Sequence, residues 1–189
     1  MNSISGVYPP SLKRSGKPAL YEVACADIKV WAEGESETPF MHARARADQV
    51  EVCCIGYLEG LGSSAQKAAE VLLADYLTEG CSAFSGKFGS FAALVIDRRN
   101  DSYFLFCDSS NQRRWYYHHH ENSFVFSTKL KRCASLLPGK TALQQDNSFF
   151  WVYGFYPKNQ TAYTDVYSLS GTKYAVFSKG KLSIKEKKP

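Results

Sequence analysis

The chain has 189 residues, 44% of them hydrophobic and 22% charged. That is enough for one globular domain with a sizeable core, and it excludes a disordered or low-complexity polypeptide. The net charge is +5, and the segment 179–189 carries five Lys against one Glu, so the remaining body is close to neutral. This basic end reads as a solvated tail or linker after a domain spanning residues 1–178. No stretch of about 18 apolar residues occurs, which excludes a membrane-spanning helix. No secretory leader pattern opens the chain, so a cytoplasmic setting is expected, with neither membrane nor nucleic acid as partner.

Residues 1–8 alternate small and apolar side chains and predict a strand ended by Pro9-Pro10. Residues 11–19 read as a loop, and 20–32 and 37–47 as strands. Gln49 to Leu58 has a continuous apolar centre, which predicts a buried strand. A helix follows from Ala65 to Leu77, capped by Ser63 or Ser64 and stopped at Gly80. Its predicted apolar face is Ala68, Val71, Leu72 and Ala74.

Phe91–Ile96 and Tyr103–Cys107 flank the turn Asp97–Asp101 and predict a hairpin. Arg114–His118 and Ser123–Ser127 predict a second hairpin across His119–Asn122. Short helices are expected over 129–137 and 147–153. Val166–Leu169 and Tyr174–Phe177 predict a closing hairpin turning at Ser170-Gly171-Thr172. Strands in hairpins with helices between them predict an α+β domain of antiparallel sheets with helices on their outer faces.

Several side-chain groups invite a chemical reading. His118, His119 and His120 are adjacent, and strand alternation sends neighbours to opposite faces, so a single metal ion is not expected. The six cysteines (25, 53, 54, 81, 107 and 133) include no CxxC pair and no zinc spacing. Cys53 and Cys54 read as buried strand residues facing opposite ways. Arg113-Arg114-Trp115-Tyr116-Tyr117 mixes cations and aromatics as single-strand binders do, but fits a framework strand better. Asp97 and Asp108 read as turn and hydrogen-bond residues.

The motifs, taken in order, resemble the glutaminase domain of the asparagine synthetase family, a class II glutamine amidotransferase. The opening Met1-Asn2-Ser3-Ile4-Ser5-Gly6 is similar to that family's Met-Cys-x-Ile-x-Gly. Glu70-Val71-Leu72-Leu73 resembles its Glu-Val-Ile-Leu helix, and Gly89-Ser-Phe91-Ala92 through Asp97 resembles its Gly-x-Phe-Ala strand. Asp108 through Tyr116-Tyr117, Phe124-Val-Phe-Ser127 through Leu130-Lys131, and Gly154-Phe155-Tyr156-Pro157 through Gly171 resemble its later segments. The resemblance implies an Ntn-hydrolase-like αββα sandwich of two antiparallel sheets with flanking helices.

It also implies an altered site. Asn2 stands where the family's nucleophilic cysteine would be, and an amide forms no thioester. Ile55-Gly56 stands where the family places the Asn-Gly of its oxyanion hole, so the side-chain donor is lost. Ala68 replaces an aspartate that pairs with the substrate's amino group. Arg44 or Arg46, after His42, would be the remnant of an arginine holding the glutamine carboxylate. No catalytic residue and no metal site are therefore expected.

The same losses mark the inactive domains of β-lactam synthetases, carbapenam synthetases and lasso-peptide cyclases. The resemblance implies a partner: an ATP-dependent synthetase domain, in cis or in trans, holding the ATP and Mg, with no cofactor in this chain and a homodimer possible. Two alternatives stay open: an active amidotransferase supplying ammonia, and a stand-alone ligand- or peptide-binding domain.

Overall fold

A computed structural model describes the chain over residues 3–8, 21–25, 28–33, 42–121, 123–137, 142–143 and 148–188. The expected loop at 11–19 and the start of the strand expected at 37–47 lie outside these residues. The described strands are β1 (Ser3–Tyr8), β2 (Tyr21–Cys25), β3 (Ile28–Glu33), β4 (His42–Ala47), β5 (Val50–Leu58), β6 (Gly89–Asp97), β7 (Ser102–Cys107), β8 (Tyr116–His120), β9 (Ser123–Ser127), β10 (Tyr167–Ser168), β11 (Lys173–Ser178) and β12 (Lys181–Glu186). The α-helices are α1 (Ala65–Glu79), α2 (Leu130–Ser135) and α3 (Ser148–Tyr153).

These strands form two antiparallel sheets. The first runs β10-β8-β9-β1-β3-β2 and the second β12-β11-β7-β6-β5-β4. Between them lies one apolar layer, with Ile4, Val30, Cys53, Ile55, Leu94, Trp115, Phe124 and Phe126 among its buried members. The outer face of the second sheet packs on α1 through Val52, Cys54, Ala93, Val95 and Phe106. The outer face of the first sheet packs on α2, where Val7 and Val125 meet Cys133 and Ala134. The architecture is an α+β αββα sandwich, as the resemblance implied.

Period-2 burial explains how the central strands serve two layers. On β5, Cys53 and Ile55 face the inter-sheet core while Cys54 faces α1. Helix α1 begins at Ser64, whose hydroxyl accepts the Lys67 N–H at 3.3 Å. Its buried face is Ala65, Ala68, Ala69, Leu72, Leu73 and Tyr76. The predicted face is corrected by one step, since Ala74 is exposed and Ala69 is buried. Small alanines at three positions let the helix backbone sit close on the sheet, where Phe84 and Phe106 stack with centroids 3.7 Å apart.

Two expectations fail at the end of the chain. Val166–Leu169 and Tyr174–Phe177 do not pair with each other, because β10 adds to β8 in the first sheet and β11 to β7 in the second. Gly171 sits in that crossover, where a β-carbon would come within 2.4 Å of the Ser109 carbonyl oxygen. The partner of β11 is β12, drawn from the segment expected to be a basic tail. Leu182 and Ile184 alternate with polar residues there, and Lys179 and Gly180 both take the positive φ of a tight hairpin turn. The lysines of β12 occupy a sheet edge, which discourages edge-to-edge pairing.

The second hairpin is also shifted. His119 and His120 belong to β8, and the His119 ring packs edge-on against Phe124 and Phe177. His118 and His120 stack on the opposite face, 6.4 Å apart.

Candidate functional site

The start of β1 is tied to the residue that follows β9. The Ile4 N–H donates to the Thr128 hydroxyl at 3.2 Å, and the Thr128 N–H donates back to the Ile4 carbonyl at 3.0 Å. Thr128 also lines a cavity of about 200 Å³ with Ile55, Gln112, Arg113, Arg114, Tyr116 and Lys129. Strand β1 is thus linked to the cavity through one hydrogen-bonded neighbour, Thr128.

A buried carboxylate shapes the loop that supplies the arginines. Asp108, 1% exposed, accepts the backbone N–H groups of Gln112 and Arg113 at 3.0 Å each and the Ser110 hydroxyl at 2.6 Å. The loop then re-enters the fold at Trp115, whose indole N–H donates to the Phe106 carbonyl at 2.8 Å. The Arg113 side chain leaves this loop and crosses β5 at Gly56. A β-carbon on Gly56 would lie 2.8 Å from Arg113 Nε and 1.9 Å from the Ser90 carbonyl oxygen. Gly56 also has φ +104°, which few other residues tolerate.

The sequence-predicted positions separate into three places. Asn2 lies outside the described residues. Ile55 and Gly56 are at the cavity, Ile55 in its wall and Gly56 under Arg113. Arg44 and Arg46 are exposed on β4, an edge strand, and Arg44 Nε lies 3.3 Å from the buried carboxylate of Glu51. Arg98 reaches the same carboxylate at 2.9 Å, so Arg44 belongs to a charge cluster that neutralises Glu51. Ala68 is fully buried in α1 against the outer face of the second sheet. It is a packing residue on the far side of that sheet from Ile55 and not a cavity position.

Sequence reasoning missed the cations at the cavity. Arg113, Arg114 and Lys129 lie inside the matched motifs, where the sequence presents them as framework. The available signal is Ser109-Ser110-Asn111 directly after Asp108, a run of turn-forming residues that predicts a loop and not a strand. The cavity's side chains bring positive charge, a hydroxyl, a phenol and an amide, and among the described residues no thiol or carboxylate lines it. Such a set can hold an anionic group but provides no covalent thiol chemistry.

Cys54, Cys107 and Cys133 are unsuited to nucleophilic work. Burial pushes the Cys54 thiol up to about 12 and Cys107 up to about 11, and raises Cys133 as well. Among the described residues no group of three or more His, Cys, Asp or Glu side chains could hold a metal ion. No described helix is long and apolar enough to cross a membrane. Two larger depressions, of about 440 Å³ beside Leu58, Val71 and Phe88 and about 270 Å³ beside Cys81 and Tyr174, do not include Thr128.

No curated protein matches the chain. Similar solved structures include the glutamine phosphoribosylpyrophosphate (PRPP) amidotransferase from B. subtilis complexed with ADP and GMP. That likeness has 12% identity and a TM-score of 0.49, over 85% of this chain and 35% of that one. A second is titled the structure of the allosteric regulatory enzyme of purine biosynthesis, with 9% identity and a TM-score of 0.48, over 98% of this chain and 43% of that one. The chain thus spans less than half the length of either. The family model of the glutamine amidotransferase domain matches residues 58–188, which take in the Asp108 loop, Thr128, Lys129 and strand β12. By that match, covering most of its length, the chain belongs to the glutamine amidotransferase domain family.

Proposed function

We propose that this domain does not hydrolyse glutamine and instead acts as a docking scaffold for an ATP-dependent synthetase module that forms amides or lactams. The reading follows the degenerate domains of asparagine-synthetase-like proteins, and the ATP and Mg belong to the module. The observation that carries it is the residue type at position 2. Asn2 lies two residues upstream of Ile4, which is hydrogen-bonded to a residue lining the cavity, and its amide cannot attack a carbonyl. Ile55 adds a wall with no side-chain donor for an oxyanion.

The test is ammonia and glutamate release from glutamine by the purified chain, with mass spectrometry of its N-terminus. No turnover above buffer and no processed Ser3 terminus are expected. Catalytic turnover, or a mature chain beginning with a free Ser3, overturns the reading in favour of an active amidotransferase. Docking is tested separately, by co-purification of the chain with a synthetase polypeptide encoded beside it or fused to it. Failure to associate overturns the scaffold role while leaving the inactivity intact.

A second reading is favoured by the cationic side chains at the cavity. The same pocket would hold a small anionic ligand in a stand-alone binding domain. Inorganic phosphate and glutamate are the first probes, and a saturable rise in melting temperature supports it.

A further inference from the structure

Helix α1 packs on β4 and β5 and then gives way to a short 3-10 helix, Gly80–Phe84. Phe84 closes that turn onto Phe106, and Tyr174 of β11 stacks on Phe106 as well, with centroids 5.1 Å apart. Between the turn and the ends of β11 and β12 lies the cavity of about 270 Å³, lined by Cys81, Ser85, Tyr174 and Lys187 among others. It shares no lining residue with the cavity at Arg113. At about 30 Å³ per water molecule it has room for roughly nine groups of that size.

Ser85 carries an unmet hydrogen bond. Its hydroxyl oxygen is shielded from solvent and has no partner among the described residues. A buried hydroxyl left this way is costly, and it marks a place where a ligand group completes the bonding. The neighbouring groups are engaged elsewhere. The Ser82 hydroxyl donates to the Glu79 carbonyl at 2.6 Å, and the Tyr174 hydroxyl and Cys81 thiol lie within reach of each other. The Lys187 ammonium donates to the Cys107 carbonyl, which uses one of its three protons. Burial holds this lysine below its ordinary pKa, and an anion beside it would offset that desolvation.

The surrounding field is positive. Lys185 faces Tyr174 across the β11–β12 ladder, and its charge acts on the Cys81 thiol. Lys188 lines the cavity as well. Among the described residues the one lining carboxylate is Glu186, which lies 3.1 Å from Lys173.

We propose that this cavity holds the phosphate group of a small phosphate monoester, with Ser85 and Lys187 as its donors. A lysine ammonium is a compact point charge that suits a tetrahedral oxyanion. A planar carboxylate is matched by the fork of an arginine, and among the described residues no arginine lines this cavity. The volume is too small for a nucleotide and admits a ligand about the size of glycerol phosphate. The proposal holds whether or not the domain hydrolyses glutamine.

Protection of Cys81 is the local readout, because this thiol is only partly buried and lines the cavity. The full chain is treated with iodoacetamide at mildly alkaline pH while inorganic phosphate or glycerol phosphate is raised through the millimolar range at constant ionic strength. Labelling of Cys81 is expected to slow about tenfold at a ligand concentration ten times the dissociation constant. Ser85→Ala removes a hydroxyl that no protein group uses. Its melting temperature without phosphate should therefore hold or rise, while the phosphate midpoint rises about tenfold. Lys187→Met should abolish protection, and Arg113→Ala should leave it intact. The proposal is overturned if no saturable protection occurs, if acetate protects as well as phosphate, or if inorganic phosphate protects and glycerol phosphate does not. A Ser85→Ala chain that melts lower or binds phosphate like wild type also overturns it. Loss of protection in Arg113→Ala assigns the anion to the other cavity and overturns it too.

Discussion

Arg113 lies across Gly56, with its Nε 2.8 Å from the point where a β-carbon on that glycine would sit. The glycine is required twice over, since the Ser90 carbonyl oxygen is 1.9 Å from the same point and the backbone has φ +104°. Gly56→Ala is expected to cost about 3 kcal/mol, from backbone strain and the forced separation of β5 from β6. For a chain of this size that lowers the melting temperature by roughly 6–12 °C. Adding Arg113→Ala should recover little, because the closer clash is with backbone. Substantial rescue in the double variant would show that the side chain of Arg113, and not the strand, sets the requirement.

Asp108 holds the arginine loop, and its two carboxylate oxygens have different tasks. Oδ1 accepts from Ser110 and Gln112, and Oδ2 from the Arg113 N–H. Asp108→Ala leaves two partly buried N–H groups without their acceptor and is expected to cost about 2–3 kcal/mol. Asp108→Asn keeps one acceptor and should cost about half as much. Amide hydrogen exchange should accelerate at Gln112 and Arg113 in both variants, with Phe104 and Phe106 of β7 unchanged. Faster exchange along all of β7 would make Asp108 a residue of the sheet and not of the loop.

The expectations that held are those in which the apolar period and local chemistry agree. β5 has an unbroken apolar centre, and α1 has a serine cap, a glycine stop and a 3-4 apolar spacing. The failures come where two signals conflict. In segment 179–189 the lysine content argued for a tail, while Leu182 and Ile184 carried the alternation of a strand, and the alternation won because β11 offered an open edge. Ala68 was aligned to a site position by its neighbours Glu70 and Val71, yet the helix turns it into the α1 core. Tertiary placement, not residue type, decides such a position. The cations at the cavity are hidden in the sequence because their side chains converge from a loop and a strand end, Arg113 and Lys129 being sixteen positions apart.

Acid should act on the β6–β7 turn. Asp97 is held below the ordinary carboxylate range, chiefly by the Arg99 guanidinium, which donates to it at 2.7 and 2.9 Å, with the Tyr76 hydroxyl donating at 3.1 Å. A depressed folded-state value means that the contribution is present above the unfolded value of about 3.9 and lost as pH falls through the lower folded one. Asp97→Asn should therefore destabilise at neutral pH, with the difference from wild type shrinking as the pH is taken below about 4. Urea midpoints measured across that range check it. A difference that stays constant from neutral to acid would assign the loss to packing around Tyr76.

Thiol accessibility can order the opening of the layers. Cys53 and Cys54 are adjacent on β5, but Cys53 faces the inter-sheet core and Cys54 faces α1. Both are fully buried, and burial, with a smaller push from the neighbouring Cys53, drives the Cys54 thiol up to about 12. In the folded chain at mildly alkaline pH, iodoacetamide should therefore leave Cys53, Cys54, Cys107 and Cys133 unmodified over the time in which a free thiol reacts fully. Cys54 is covered by the single helix α1, whereas Cys53 lies between two six-stranded sheets. Lifting one helix breaks no strand pairing and is the smaller local opening, so with rising urea Cys54 should label before Cys53. Tandem mass spectrometry of the peptide that carries both resolves them, since its fragment ions separate adjacent residues. Simultaneous labelling would show that α1 and both sheets open as one cooperative unit.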